Sequence, residues 1–97
     1  MKLKKGSKRY IFFKVTEEDG GTITVNSATA TFKDKGYNTL ASPTPVIRNN
    51  GTAEVTIVVM CDTTITTVSA DNQYFIVATF TIGAEIFIEQ ETIDVVQ

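Results

Sequence analysis

The chain has no histidine, a single cysteine and two prolines among its 97 residues, and each scarcity removes a class of function or structure. Without histidine the commonest general base and the commonest transition-metal ligand are both missing, so histidine-dependent hydrolytic triads are excluded. The lone Cys61 rules out an intramolecular disulfide and a cysteine-built zinc site alike. No cation lies beside it in sequence to favour the thiolate, and Val59, Met60 and Asp62 around it predict an inert thiol at the end of a buried strand. Also missing is a glycine-rich loop followed by lysine and serine or threonine, the device that cradles phosphate on backbone N–H groups. On these grounds neither an enzyme nor a cofactor is expected.

Long apolar runs are lacking too. The densest stretches, Val55 to Cys61 and Tyr74 to Ala78, fall far short of the roughly 18 residues that a membrane-spanning helix requires, so no membrane partner is expected. The basic start, Met1 to Arg9, is followed by only Tyr10 to Phe13 before Lys14 interrupts, and no small-residue cleavage site appears; this argues against a secretory leader.

What is abundant is β-branched. Sixteen threonines, with similarly plentiful valine and isoleucine, favour pleated strands, where stiff branched side chains pack well. Apolar residues at 42% and charged residues at 21% suit one compact domain, and at this length folding buries roughly 60–70% of the unfolded surface. Alternation of period two identifies the strands. Ala28, Ala30 and Phe32 interleave with Thr29, Thr31 and Lys33, and Ala53, Val55, Ile57 and Val59 interleave with Glu54, Thr56, Val58 and Met60.

The first strand is expected over Lys8 to Thr16, with Ile11, Phe13 and Val15 on one face and Tyr10, Phe12 and Lys14 on the other. Glu17, Glu18, Asp19, Gly20 and Gly21 read as a turn; they lack the spaced oxygen ligands of a calcium loop. A short strand at Ile23 to Val25 leads into Ala28 to Lys33, and Pro43 and Pro45 make Tyr37 to Pro45 loop-like. Asn49, Asn50 and Gly51 signal a hairpin joining Val46 to Arg48 with Thr52 to Met60. Residues Asp62 to Asn72 fit either a crossover with a short strand or a helical turn. Two long strands close the chain, Gln73 to Ile82 and Glu85 to Val96, turning at Gly83 and Ala84. In the last of them Ile86 and Ile88 differ in parity from Ile93 and Val95, which predicts a bulge near Gln90. Tyr74, three residues after Asp71, stands where a sandwich places a tyrosine whose hydroxyl bonds back across the corner. Together these features predict an all-β fold, an immunoglobulin-like antiparallel β-sandwich of about seven strands, with a small β-barrel as the alternative.

Glu85, Glu89 and Glu91 contain the two carboxylates a glycosidase needs, but acids alternating along a strand are the pattern of a solvated face. Charge is laid out unevenly: Lys2, Lys4, Lys5, Lys8 and Arg9 are five of nine bases, leaving four bases against eleven acids from Tyr10 onward. The expected organisation is a basic arm, residues 1–9, on an acidic domain, residues 10–97. Such an arm attracts acidic surfaces. The remaining bases, Lys14, Lys33, Lys35 and Arg48, are scattered, which argues against nucleic acid.

The segments Phe12 to Gly21, Ala28 to Phe32, Tyr74 to Gly83 and Ile93 to Val96 carry a resemblance to the small immunoglobulin-like virion proteins and domains of tailed bacteriophages, spanning roughly residues 8–97. The resemblance implies a virion structural protein, made in the host cytoplasm and present in many copies. It would be capsid-associated or placed in the head–tail or tail region, contacting the major capsid or tail protein or its own copies. Candidate contacts are Lys2, Lys4, Lys5, Lys8, Arg9, Tyr10 and Phe12. The competing expectation is a surface adhesin or carbohydrate-binding module using Tyr37, the Tyr37 to Pro45 loop and the Asn49 to Gly51 turn at one end.

Overall fold

A computed structural model describes all 97 residues. Eight strands form: β1 (Lys2–Lys4), β2 (Lys8–Thr16), β3 (Ser27–Asp34), β4 (Thr39–Ala41), β5 (Val46–Arg48), β6 (Glu54–Asp62), β7 (Asn72–Ile82) and β8 (Glu85–Val96). They build a five-stranded sheet in the order β1-β8-β7-β3-β4 and a three-stranded sheet in the order β2-β6-β5. The chain changes sheet after β1, β2, β4 and β6, which makes an immunoglobulin-like sandwich and not a barrel. All neighbours pair antiparallel except β1, which runs parallel to β8.

Alternation places one face of each strand in the core. Ile11 and Phe13 of β2 meet Val55, Ile57, Val59 and Cys61 of β6 in one layer, and Phe32, Ile76, Phe80, Ile93 and Val95 line the other. The corner tyrosine is present: Ser69 N–H donates to the Tyr74 hydroxyl at 2.8 Å, and that hydroxyl lies 3.4 Å from the Ser69 carbonyl.

Several expectations are corrected. The bulge near Gln90 does not exist, since β7 and β8 pair without interruption from Ile82↔Glu85 to Asn72↔Val95. The parity break has a different cause: Ile93 and Val95 face the core, whereas Ile86 and Ile88 stand on the outer face, 69% and 68% exposed. Residues Ile23 to Val25 make one bridge, Ile23↔Thr52, instead of a strand. The carboxamide of Asn50 takes the place of the missing ladder there, accepting from Val25 N–H at 2.8 Å and donating to the Val25 carbonyl at 3.0 Å. With Asn50 used in this way, positive φ falls on Asn49 and Gly51, and the connection from β5 to β6 is wider than a two-residue hairpin. Inside the expected loop, β4 pairs with β3 before Pro43 and Pro45 break the ladder. Residues 63–71 form turns, with neither a strand nor a helix among them.

The largest correction concerns the amino terminus. Residues 1–9 are not an arm: Lys2, Leu3 and Lys4 pair with Asp94, Val95 and Val96, and Leu3 is buried in the core. Thr63 holds the corner that follows. Its hydroxyl accepts from Ser7 N–H at 2.8 Å and donates to the Lys4 carbonyl at 2.8 Å, while its own N–H donates to the Ser7 carbonyl. Completely buried, Thr63 is the one polar side chain of the interior, and its partners account for that cost.

Candidate interaction surface

Strand β2 lies at the edge of the three-stranded sheet, and its alternation sends Lys8, Tyr10, Phe12 and Lys14 outward. Tyr10 is 53% and Phe12 57% exposed. The register sets Phe12 beside Val58 of β6, and Val58 beside Val46 of β5, so one apolar row crosses all three strands. Val58 is buried although it stands outside the main core cluster, because Phe12 and Val46 flank it. Tyr10 lies across from Met60 in the next row, with Lys8 opposite Asp62 above and Lys14 opposite Thr56 below. The result is an open apolar face rimmed by charge, the form of a protein-contact surface. Sequence reasoning singled out Tyr10 and Phe12 but missed Val46, Val58 and Met60, whose membership depends on register between strands.

The other candidate contacts divide. Lys2, Lys4, Lys8 and Arg9 are exposed around β1 and the start of β2. Lys5 is committed to the fold, its ammonium donating at 2.9 Å to both the Thr63 and Ile65 carbonyls. Tyr37 belongs to a separate group on the outer face of the five-stranded sheet. Its ring packs on Phe75 at 5.7 Å between centroids, Lys33 Nζ sits 4.8 Å over it, and its hydroxyl donates to Gln90 Oε1. The Tyr37 turn follows Asp34, opposite Tyr74 at one end of β7, while the Asn49 to Gly51 connection bonds to Ile23 at the other end of the 42 Å long axis. Loop and turn therefore do not form one binding end, as the carbohydrate reading requires.

Charge is segregated along that axis. The end holding Lys2, Lys4, Lys5, Lys8, Arg9, Lys33 and Lys35 has seven bases against five acids: Asp34, Asp62, Asp71, Asp94 and Glu91. The far end has two bases, Lys14 and Arg48, against six acids: Glu17, Glu18, Asp19, Glu54, Glu85 and Glu89. The contrast expected between arm and body is one between two ends of a single domain.

Two carboxyls at the basic end are held below the ordinary carboxylate range. Asp34 owes this first to Asn38 N–H, at 2.9 Å; burial opposes it, and the Asn38 side chain and Gly36 N–H add smaller contributions that lower it further. Asp62 owes it first to the Thr64 hydroxyl and then to Thr64 N–H, with weaker help from Lys8 and Lys5. Both are turn-forming groups. Burial, reinforced by the Asp62 charge, pushes the Cys61 thiol up to about 11, which keeps it protonated and unreactive at neutral pH.

A crevice of about 310 Å³ opens between the sheets where β2 and β8 diverge, lined by Val15, Ile23, Phe80 and Phe87 with Lys14, Glu17 and Glu89 at its mouth. Glu85, Glu89 and Glu91 share one face of β8, yet no cluster of three potential metal ligands forms anywhere in the chain. Comparison with known proteins finds no matching family model, no matching curated protein and no matching solved structure.

Proposed function

We propose that this chain is a non-enzymatic structural protein of a tailed-bacteriophage virion, a capsid decoration or a head–tail or tail accessory acting through protein–protein contacts. One observation carries the reading: Tyr10, Phe12 and Val46 stand exposed on one sheet face, next to a basic end that displays Lys2, Lys4, Lys8 and Arg9. Full burial of an aromatic or aliphatic side chain gains about 1.5–3 kcal/mol, so a contiguous apolar row left in water favours a partner that covers it. The basic rim favours an acidic one, and phage shells are commonly acidic. A major capsid or tail protein and further copies of the chain are the partners this surface suits.

Co-sedimentation with phage particles lacking the protein tests the reading. Saturable binding is expected for the native chain. The double substitution of Tyr10 and Phe12 by serine should abolish it, and Lys2→Glu with Lys4→Glu should weaken it and lessen its salt dependence. Because residues 1–9 contain β1, substitutions on the folded surface are the proper test, and deletion of the segment is not. Failure of the native protein to bind any particle fraction, or unchanged binding by the serine variant, would refute the proposal.

A further inference from the structure

The sheet order ends at β2, and no other part of the chain pairs with its outer edge. Thr63 N–H donates to the Ser7 carbonyl at 2.8 Å, and bonded pairs alternate with unbonded ones in an antiparallel ladder. Arg9, Ile11, Phe13 and Val15 therefore direct their backbone groups at β6, while Lys8, Tyr10, Phe12, Lys14 and Thr16 direct theirs away from the sheet. An uninterrupted nine-residue edge with no proline, no bulge and two exposed aromatics is a template for another strand.

We propose that the strand that fills it is β2 of a second copy, paired antiparallel across a two-fold axis centred on Phe12. That register bonds all five outward residues: Phe12 meets its own mate, Tyr10 meets Lys14, and Lys8 meets Thr16. Moving the centre by one residue, to Ile11, would instead set Lys8 against Lys14. Lysines normally guard sheet edges, but here one falls on an aromatic ring and the other beside Glu17 of the second copy. The rotation also reverses the two domains, so the basic end of each lies alongside the acidic end of the other. This charge complementarity selects a second copy as the occupant, and a two-fold contact satisfies it twice.

The product is a six-stranded sheet across which the row Val46, Val58, Phe12 continues into its symmetry mate. Side chains stand perpendicular to a sheet, so the doubled apolar row still faces outward. The pairing deepens the preceding reading by naming one partner of β2; what the doubled row binds rests on that reading, while the pairing itself does not need a virion.

Sedimentation velocity of the purified chain tests it, with a reversible dimer that weakens as salt is added as the expected result. A Phe12→Cys chain should form a covalent dimer on mild oxidation, because bonded partners stand about 5.5 Å apart at Cα, within disulfide reach. Cys61 is buried and does not compete. Thr16→Cys should not cross-link, its own mate lying roughly 27 Å along the strand. Lys8→Glu with Arg9→Glu should weaken the dimer at least about tenfold, and adding Glu17→Lys with Glu18→Lys to the same chain should restore it. A native chain monomeric up to about 100 µM overturns the pairing. So does cross-linking at residue 16 as readily as at residue 12, or a charge-swapped chain that stays weak. A monomer that nevertheless binds particles sinks this proposal and leaves the virion reading standing; a dimer that binds none does the reverse.

Discussion

Replacing Thr63 by valine keeps the shape of a completely buried side chain and deletes one hydroxyl, which isolates what that hydroxyl does. Ser7 N–H loses its acceptor at 2.8 Å, and no other acceptor is in place for it. The Lys4 carbonyl loses one donor but keeps the Ser7 hydroxyl at 2.6 Å, and the Ser7 carbonyl keeps Thr63 N–H. The net damage is one stranded, partly buried N–H, a loss of about 1–3 kcal/mol. For a domain of this size each kcal/mol lowers Tm by about 4–8 °C. Urea titration followed by circular dichroism reads the change, and hydrogen exchange should speed up first at Lys5, whose N–H donates to Val96, and at Asp94, whose N–H donates to Met1. Thr63→Ser retains the hydroxyl and should keep more of the protection at both amides. If Thr63→Val stays within about 0.5 kcal/mol of the native chain, the hydroxyl does not hold the corner and the account of an ordered amino terminus fails.

Tyr74→Phe removes the corner hydroxyl that accepts from Ser69 N–H; a loss of about 1–3 kcal/mol in chemical denaturation is expected, and no loss would show that the corner contributes nothing. Asn50→Ala strips both Val25 backbone groups of their partner, with a similar or greater cost and faster exchange at Val25. Asp34 and Asp62 titrate below their unfolded values, so their contribution is present above about pH 4 and is lost as pH falls through the depressed folded values. Acid titration of Asp62→Asn should therefore show a shallower loss of stability than the native chain, and identical profiles would count against the Thr64 bonds. Ellman's reagent should leave Cys61 untouched in the native chain and label it promptly in denaturant; fast native labelling would contradict its burial.

Local periodicity made much of this domain legible. The alternation around Phe32, along Val55 to Val59 and from Tyr74 to Ile82 depends on each residue's immediate neighbours, and all three segments are strands with the expected face inward. Tyr74 was readable for the same reason, since its hydroxyl returns to a residue five positions upstream. Where the reading failed, the deciding partner was distant in sequence. Asn50 lies 25 residues from Val25, and Thr63 lies 56 from Ser7, so neither the missing strand at Ile23 nor the ordered amino terminus left a local trace.

The candidate surface divides along the same line. Composition and alternation alone determined an all-β chain without histidine chemistry, whose second strand turns Tyr10 and Phe12 away from the core, because those properties belong to residue type and period. Tertiary structure alone decided that Val46 and Val58 extend those aromatics into a row, that β2 has no neighbour on one side, and that bases and acids collect at opposite ends. Register and sheet order create these features by bringing together strands tens of residues apart, and no window along the chain contains both halves of such a contact.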